Sequence, residues 1–194
     1  YAAFFKRKEL IKYDTENEYI EELENNNNGI ERKSIAIEGQ DDINASIREK
    51  IEIQIKNKSE LLGNTVILTP LLFDQLESNP FKLEEREYPV DFTYPRSKKI
   101  IVSITIPDNY QFESVPAPAR VILPDKSASY LFYPQVTGNH LQLICDYKVN
   151  RTLFPGIEYN ALKEAIKTYK TSGKSIDTDY LLACVRVKKY ELLK

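Results

Sequence analysis

One stretch of the sequence combines the three residue types of a thiol hydrolase. His140, Cys145 and Asp146 lie within seven positions, and these types could form a nucleophile, its base and an orienting carboxylate for acyl transfer. The stretch is predicted to be a β-strand, on which residues five positions apart point to opposite faces and lie roughly 16 Å apart. A nucleophile and its base must be within hydrogen-bond distance. We therefore interpret Cys145 as a core cysteine, predict no catalytic residue and expect the chain not to be an enzyme.

The remaining candidates for metal or cofactor chemistry are sparse. Cys145 and Cys184 are the only cysteines and His140 is the only histidine, too few for a zinc site or a disulfide framework. A single disulfide between the two cysteines and two buried thiols both remain open. The carboxylate pairs at residues 41–42, 84–85 and 177–179 lack the further oxygen ligands of a calcium or magnesium loop. We predict no metal site and no cofactor.

The charge balance excludes other classes of partner. The 194 residues carry 27 Lys and Arg and 29 Asp and Glu, a net charge of −2, and the two signs are interspersed. A nucleic-acid-binding domain needs a basic patch instead. No apolar run approaches the roughly 20 residues of a membrane span. Because the sequence does not begin with Met, we expect the chain to be a piece of a longer protein.

The first 28 residues predict two short helices. Thr15-Glu16-Asn17-Glu18 matches a capping box that starts the second helix, and the asparagine run before Gly29 ends it. We expect this helical segment, residues 1–28, to pack on a β-sandwich formed by residues 29–194, so that the two are one structural unit.

From residue 30 onward, the hydrophobic period changes from helical to alternating. Ile47, Ile51, Ile53 and Ile55 share one side of a half-buried strand. Further short β-favouring runs, separated by prolines, cover residues 65–69, 85–92, 99–106, 111–115, 120–123, 130–135 and 180–187. Residues 136–140 predict a hairpin turn. We predict a mainly β fold with minor α, a two-layer antiparallel β-sandwich of jelly-roll or Ig-like type, with short helices at the N-terminus and near residues 160–170.

Aromatic residues offer an alternative function. The sequence has 13 tyrosines and 8 phenylalanines, and Tyr130, Phe132 and Tyr133 stand on both faces of one predicted strand, so at least one ring is expected to be exposed or to lie between sheets. Core packing is the default interpretation. The alternative is that these three rings form a surface that binds a glycan or a peptide.

Several segments resemble large transglutaminase-like proteins of Bacteroidetes-type bacteria. The stretch from Asn79 to Phe92, with the sequence NPFKLEEREYPVDF, carries the resemblance most clearly. The other matching segments follow in the same order as in those proteins: Tyr1–Ala3, Tyr13–Thr15, Ile104–Tyr110, Val115-Pro116 and Glu158–Glu164. The resemblance covers residues 1–164, and residues 165–194 depart from it.

The resemblance implies a context for the chain. Such proteins combine a β-rich N-terminal domain, a papain-like core with a Cys-His-Asp triad and a C-terminal β-sandwich of unassigned function. It implies that this chain is the last of these, a non-catalytic accessory or structural domain whose partner is the core of the same polypeptide, in a periplasmic or cell-envelope, secreted protein. Glu85, Arg86 and Tyr88 are the expected interdomain contacts, because Arg and Tyr are enriched at interfaces. The alternative is an envelope glycan- or peptide-binding module.

Overall fold

The computed structural model describes residues 2–25, 29–56, 59–68, 79–164, 167 and 185–189. Its contacts divide the chain into two compact units, Tyr1–Lys58 and Ser59–Lys194. This division differs from the boundary expected at residue 28, because the first two strands pair with each other and contact the second helix. The expectation that the helical segment packs on the sandwich as one structural unit stays a prediction.

Within the part that the structure describes, the first unit contains the two predicted helices and one antiparallel strand pair. Its elements are α1 (Ala2–Leu10), α2 (Glu16–Asn25), β1 (Ile30–Glu38) and β2 (Arg48–Ile55). One of the two hydrogen bonds of the predicted capping box forms at the start of α2, and the Glu18 carboxylate reaches the amide of Asp14 instead of that of Thr15. The Glu18 amide donates to Thr15 Oγ1 at 3.2 Å, and the Asp14 amide donates to the Glu18 carboxylate at 3.0 Å.

Tyr19 links α1, α2 and β2 through its hydroxyl. It is 2% exposed, and its Oη accepts from Lys6 Nζ at 2.5 Å and donates to Glu49 Oε1 at 2.7 Å. Lys6 Nζ also lies 3.1 Å from Glu49 Oε2. Partial burial alone would lower the pKa of Lys6, but the hydrogen bonds to Tyr19 and Glu49 and the charge of Glu49 raise it overall. Burial is the main cause of the raised pKa of Tyr19.

The described residues of the second unit form ten strands. They are β3 (Ser59–Leu62), β4 (Thr65–Leu68), β5 (Val90–Asp91), β6 (Arg96–Thr105), β7 (Tyr110–Ser114), β8 (Ala119–Ile122), β9 (Ala128–Thr137), β10 (His140–Val149), β11 (Leu153–Phe154) and β12 (Val185–Lys189). Two four-stranded antiparallel sheets form, in the orders β6-β10-β9-β8 and β3-β4-β12-β7, and β5 pairs with β11. A 3₁₀ turn over Gly156–Glu158 leads into a helix at residues 159–164.

The inner faces of the two larger sheets share one apolar cluster. Phe132, Leu141 and Leu143 come from one sheet and Val185 and Val187 from the other, and none is more than 2% exposed. Alternating side chains on two facing sheets fill such a core. The predicted mainly β fold, a two-layer antiparallel sandwich with minor α, is thereby confirmed.

A second cluster joins β5, β11 and the helix at residues 159–164. It contains Phe81, Phe154 and Tyr159, with the rings of Phe81 and Tyr159 edge-to-face at 5.5 Å between centroids. Edge-to-face packing of two rings contributes stabilisation in addition to that from the burial of their apolar surface. This cluster holds the β5–β11 pair, which presents the surface described below.

Some local predictions are confirmed and others are not. The hairpin turn forms at Gly138 and Asn139, where Gly138 adopts the φ of +59° that such a turn requires. The strand predicted over residues 85–92 is wrong except for residues 90–91, because Pro89 has no amide to donate to a strand pairing. The helix predicted over residues 160–170 begins at residue 159, and most of its second half lies outside the described residues, as do residues 180–184 of the last predicted strand.

Candidate functional site

The structure separates the residues that could have formed a thiol-hydrolase site. Cys145 lies on the inner face of β10, is 2% exposed, and its Sγ donates to Tyr130 Oη at 3.8 Å. His140 lies on the outer face, with Nε2 3.1 Å from Ser103 Oγ and Nδ1 3.2 Å from Thr105 Oγ1. The predictions that Cys145 is a core cysteine and that His140 lies on the opposite face are confirmed.

Asp146 is not placed to act as a catalytic partner of His140 or Cys145. It shares the outer face of β10 with His140, but the two residues are six positions, roughly 20 Å, apart along the strand. Its Oδ2 accepts a hydrogen bond from Lys148 Nζ at 2.8 Å. No two of the three residues are therefore placed to transfer a proton to each other.

The carboxylates considered as metal ligands are dispersed. Among the described residues, no group of three or more His, Cys, Asp and Glu side chains is arranged to hold a metal ion. Asp42 instead accepts the Asn44 amide at 2.8 Å, which stabilises a turn. Asp177, Asp179 and Cys184 lie outside the described residues. The prediction that Asp177 and Asp179 bind no metal therefore stays a prediction, as do the two alternatives for Cys145 and Cys184, a disulfide or two buried thiols.

The predicted aromatic binding surface is wrong for two of its three rings. Tyr130 is 2% exposed and Phe132 is fully buried, because both point between the two sheets into the main core. Tyr133, on the opposite face of β9, is 47% exposed. These positions leave one ring of the three available to a ligand.

The predicted interdomain contacts lie on an exposed loop that packs against the turn after β11. A methyl group at Gly156 would stand 2.2 Å from the carbonyl oxygen of Arg86 and 2.9 Å from that of Glu87, so only glycine permits this approach. Arg86 Nε donates to the Tyr88 carbonyl at 3.1 Å. Glu85 is exposed, Arg86 is half-buried and the ring of Tyr88 is 78% exposed.

Two apolar residues that the sequence analysis missed extend this surface. Leu153 of β11 is 51% exposed and Ile157 is 92% exposed. Together with the three predicted contacts they form the Arg86 surface, defined as Glu85, Arg86, Tyr88, Leu153 and Ile157. A cleft of about 280 Å³ lies here, lined by Glu85, Arg86, Gly156, Ile157, Tyr159 and Asn160. The dipeptide Pro155-Gly156 predicts a turn at the surface. An apolar residue directly after such a turn was the signal that could have identified Ile157 as exposed.

Arg151 supports this surface from the side of β11. It lies 3.1 Å from Asp125 Oδ2, forms an ion pair with Glu158 and stacks over the Phe154 ring at 4.5 Å. Hydrogen bonds from the hydroxyl and the amide of Ser127 lower the pKa of Asp125, so that carboxylate stays charged at neutral pH. The turn that presents Ile157 is therefore anchored by Arg151 at both Glu158 and Phe154.

The chain matches the model of a known protein family. Residues 64–176, more than half of the chain, match the model of a family described as "Domain of Unknown Function with solved-structure structure (DUF3858)". No curated protein sequence matches the chain. None of the helices within the described ranges is long and apolar enough to cross a membrane.

One similar solved structure is a crystal structure of "a putative protease from Parabacteroides distasonis ATCC 8503". Its sequence is 10% identical to this chain, and the TM-score is 0.48. The similarity covers 64% of this chain and 23% of that chain. The chain therefore spans less than a quarter of the length of that protein.

Proposed function

The chain belongs to the DUF3858 family of domains, and from this premise we propose that it is a non-catalytic accessory domain of a transglutaminase-like protein. Domains of this family are associated with transglutaminase-like proteins. One observation carries the non-catalytic role: Cys145 is sealed in the core, while His140, the only histidine, lies on the outer face of the same strand. A cysteine nucleophile requires an accessible thiolate next to its base.

The proposed role is to support a papain-like core in the same polypeptide. The chain would be the C-terminal β-sandwich of such a protein from a Bacteroidetes-type bacterium, as the resemblance of residues 79–92 implies. The Arg86 surface is the proposed contact, because it combines the exposed side chains of Tyr88, Leu153 and Ile157 with the charged pair Glu85 and Arg86. Tyrosine and arginine at the centre of an interface are the residues that contribute most to binding.

The proposal extends to the location of the protein. The resemblance implies export to the periplasm or the cell envelope, and fractionation of cells that produce the complete protein tests this. Recovery in the periplasmic or envelope fraction is expected, and recovery only with cytoplasmic markers would contradict it.

An activity assay tests the non-catalytic role. The purified chain is assayed for peptide hydrolysis and for incorporation of a primary amine into a glutamine-containing protein, beside a Cys145→Ala variant. We expect no turnover that depends on Cys145. Turnover that disappears in Cys145→Ala would overturn the proposal.

A binding assay tests the contact. The papain-like core of the same polypeptide, produced separately, is titrated with the chain by calorimetry. We expect Ile157→Asp and Tyr88→Ala each to weaken binding by about tenfold or more, as loss of a central apolar contact does. The matched control is Ile43→Asp in the first unit, since Ile43 is 78% exposed. Equal losses in the control and the surface variants would show that the contact lies elsewhere.

The exposure of the three rings does not favour the alternative, an envelope glycan- or peptide-binding module. It depended on a row of exposed rings, and Tyr133 is the one ring of the three that is exposed. A single ring offers a ligand little stacking area compared with the Arg86 surface.

A further inference from the structure

The histidine of the chain is held between two hydroxyl groups on the outer face of the sheet β6-β10-β9-β8. His140 is paired directly with Thr105 of β6, and Ser103 is its diagonal neighbour on the same face. The His140 Nε2 atom lies 3.1 Å from Ser103 Oγ, and Nδ1 lies 3.2 Å from Thr105 Oγ1. These two contacts fix the orientation of the imidazole relative to the Ser103 hydroxyl.

The two hydrogen bonds give the ring nitrogens of His140 different roles. A neutral imidazole has one N–H donor and one acceptor nitrogen, and the partner of one nitrogen determines the state of the other. With the proton on Nδ1, His140 donates to Thr105 Oγ1, and Nε2 accepts the proton of the Ser103 hydroxyl. A hydroxyl beside a base that a third group orients is the arrangement that activates a serine nucleophile.

Gln142 supplies a further group that acyl transfer requires. It is paired directly with Ser103 across β10 and β6, on the same outer face, and side chains paired in this way have Cβ atoms about 5 Å apart. A glutamine amide in this position can donate to the oxyanion that forms when the hydroxyl attacks a carbonyl carbon. Two neighbouring strands therefore contribute a nucleophile, its base, an orienting group and an oxyanion donor.

We propose that Ser103 is a nucleophilic serine that accepts an acyl group from an activated carboxylic ester, with His140 as its general base. Thr105 positions the imidazole, and Gln142 donates to the oxyanion. The Ser103 oxygen attacks the carbonyl carbon of the ester, and its proton passes to His140 Nε2. The bond between that carbon and the leaving group then breaks, the leaving group takes the proton from the imidazolium, and the acyl group stays on Ser103 as an ester.

The same sheet face favours an aliphatic acyl group. Ile101 and Ile144 are paired with each other, two residues along the strands from Ser103 and Gln142. They lie about 6.6 Å away, because a strand rises about 3.3 Å per residue. Ile101 is 57% exposed and Ile144 is half-buried. An aliphatic chain attached to Ser103 covers this apolar surface and removes it from water.

This proposal goes beyond the accessory role and does not depend on it. It assigns a single covalent modification of the chain rather than a turnover. Its residues lie on β6 and β10, whereas the Arg86 surface is formed by the β5–β11 pair and its adjoining turns. Cys145 lies on the opposite, buried face of β10 and takes no part in it. Each proposal can therefore be contradicted without the other.

A fluorophosphonate probe tests the reactivity of Ser103 in the complete chain. An activated serine displaces fluoride from the phosphorus of the probe, and mass spectrometry locates the adduct. We expect a single adduct, at Ser103, that is absent in Ser103→Ala. The matched control is Ser97→Ala, which should be labelled like the wild type, because Ser97 is an exposed serine on the same face of β6 but is paired with Lys148. Thermal unfolding of each variant verifies that it folds. An unlabelled wild-type chain overturns the proposal, as does labelling at another serine.

Variants of His140 and Thr105 test the base and its orientation. His140→Ala should slow the labelling by about 100-fold or more, and added free imidazole should restore part of the rate. Thr105→Ser keeps the hydroxyl and should be labelled like the wild type, whereas Thr105→Val, which has the same shape without the hydroxyl, should be labelled more slowly. A rate that His140→Ala leaves unchanged overturns the assignment. So does an adduct at Thr105, which would require the opposite tautomer.

The ester p-nitrophenyl butyrate tests acyl transfer and the oxyanion donor. We expect release of p-nitrophenolate together with a butyryl group on Ser103. Gln142→Ala should slow this reaction by about tenfold or more, because the oxyanion loses a donor. The matched control is Gln135→Ala, since Gln135 of β9 is paired with Gln142 and not with Ser103. Release of p-nitrophenolate without a butyryl group on Ser103 overturns the proposal, and equal effects of the two glutamine variants overturn the role of Gln142.

A substitution of Ile101 tests the preference for an aliphatic group. Ile101→Ser should slow the transfer of butyryl from p-nitrophenyl butyrate, because the acyl chain loses its apolar contact. The same variant should leave the transfer of acetyl from p-nitrophenyl acetate unchanged, since an acetyl group is too short to cover Ile101. Equal effects on the two esters would contradict the proposed position of the acyl chain.

Discussion

Gly156 lies so close to the backbone of Arg86 that a methyl group on Gly156 would stand 2.2 Å from the Arg86 carbonyl oxygen. The loop of residues 85–88 and the turn after β11 can approach each other only because this position has no side chain. We therefore expect Gly156→Ala to lower the free energy of unfolding by about 1–3 kcal/mol, the usual cost of an added methyl group in a tightly packed position. Urea unfolding of the complete chain measures this loss.

The control separates packing from backbone strain. Gly63 has a φ of +60° and no neighbouring atom within 4 Å of an added methyl group, so Gly63→Ala costs only the strain of that conformation, about 1–2 kcal/mol. Hydrogen exchange of the Glu158 amide, which donates to the Pro155 carbonyl at 2.9 Å in the same turn, should increase in Gly156→Ala and not in Gly63→Ala. Unchanged exchange of the Glu158 amide in both variants would contradict the close approach.

Local chemistry made several features predictable. The helix cap at Thr15 and the hairpin turn at Gly138 depend on residues within a few positions of each other, and both form. Strand parity also predicted that Cys145 and His140 lie on opposite faces of β10. Each of these predictions uses the geometry of a single element.

The remaining features depend on contacts between distant parts of the chain. Parity places Tyr130 and Phe132 on one face of β9, but the sheet β3-β4-β12-β7 determines that this face is buried. Ile157 is exposed because Arg151 and the Arg86 loop hold its turn at the surface. The sequence pattern around a single residue does not contain this information.

The burial of Cys145 predicts its reactivity. A thiol that is 2% exposed and donates to Tyr130 should react with a bulky disulfide reagent only when the chain unfolds. The experiment uses a Cys184→Ala background, so that the signal comes from Cys145 alone. We expect the thiol to react in native buffer only through unfolding of the chain. The reaction rate should therefore rise with added urea in parallel with the unfolded fraction. Rapid stoichiometric labelling of the folded chain would show that the thiol is accessible.

The hydrogen bonds of Arg7 predict that the connection between β1 and β2 is rigid. Its guanidinium donates to the backbone carbonyls of Gly39 at 2.8 Å, Gln40 at 3.1 Å, Asp42 at 2.5 Å and Ala45 at 2.7 Å. A lysine cannot reproduce this fork of donors. We expect Arg7→Lys to lower the free energy of unfolding by about 1–3 kcal/mol and to speed hydrogen exchange over residues 39–45.

The control for Arg7 is another arginine of the same unit. Arg48 pairs with Glu38 at 3.2 Å, but both side chains are mostly exposed, and such pairs contribute about 0–1 kcal/mol. Arg48→Lys should therefore leave exchange over residues 39–45 unchanged. Equal effects of the two substitutions would show that the four carbonyl contacts of Arg7 do not stabilise the loop.

The contacts of Tyr19 with Lys6 and Glu49 predict how the first unit responds to alkaline pH. In the folded chain the pKa values of Lys6 and Tyr19 are both raised, so each group holds its proton more firmly than in the unfolded chain. Their stabilisation is fully present below the unfolded pKa values, about 10 for tyrosine and 10.4 for lysine, and is lost as the pH rises through the folded values. We expect unfolding to begin above about pH 10. Circular dichroism measures the unfolding, and tyrosinate absorbance measures the ionisation of tyrosine.

Variants of Glu49 and Tyr19 identify the source of this pH dependence. Glu49→Gln removes the charge that favours protonated Lys6, and we expect a loss of about 1 kcal/mol at neutral pH, since the pair is partly exposed and screened by solvent. Tyr19→Phe removes both hydrogen bonds of the hydroxyl and keeps the buried ring. The onset of alkaline unfolding should move to lower pH in Glu49→Gln. An onset that neither variant shifts would assign the alkaline response to other tyrosines and lysines of the chain.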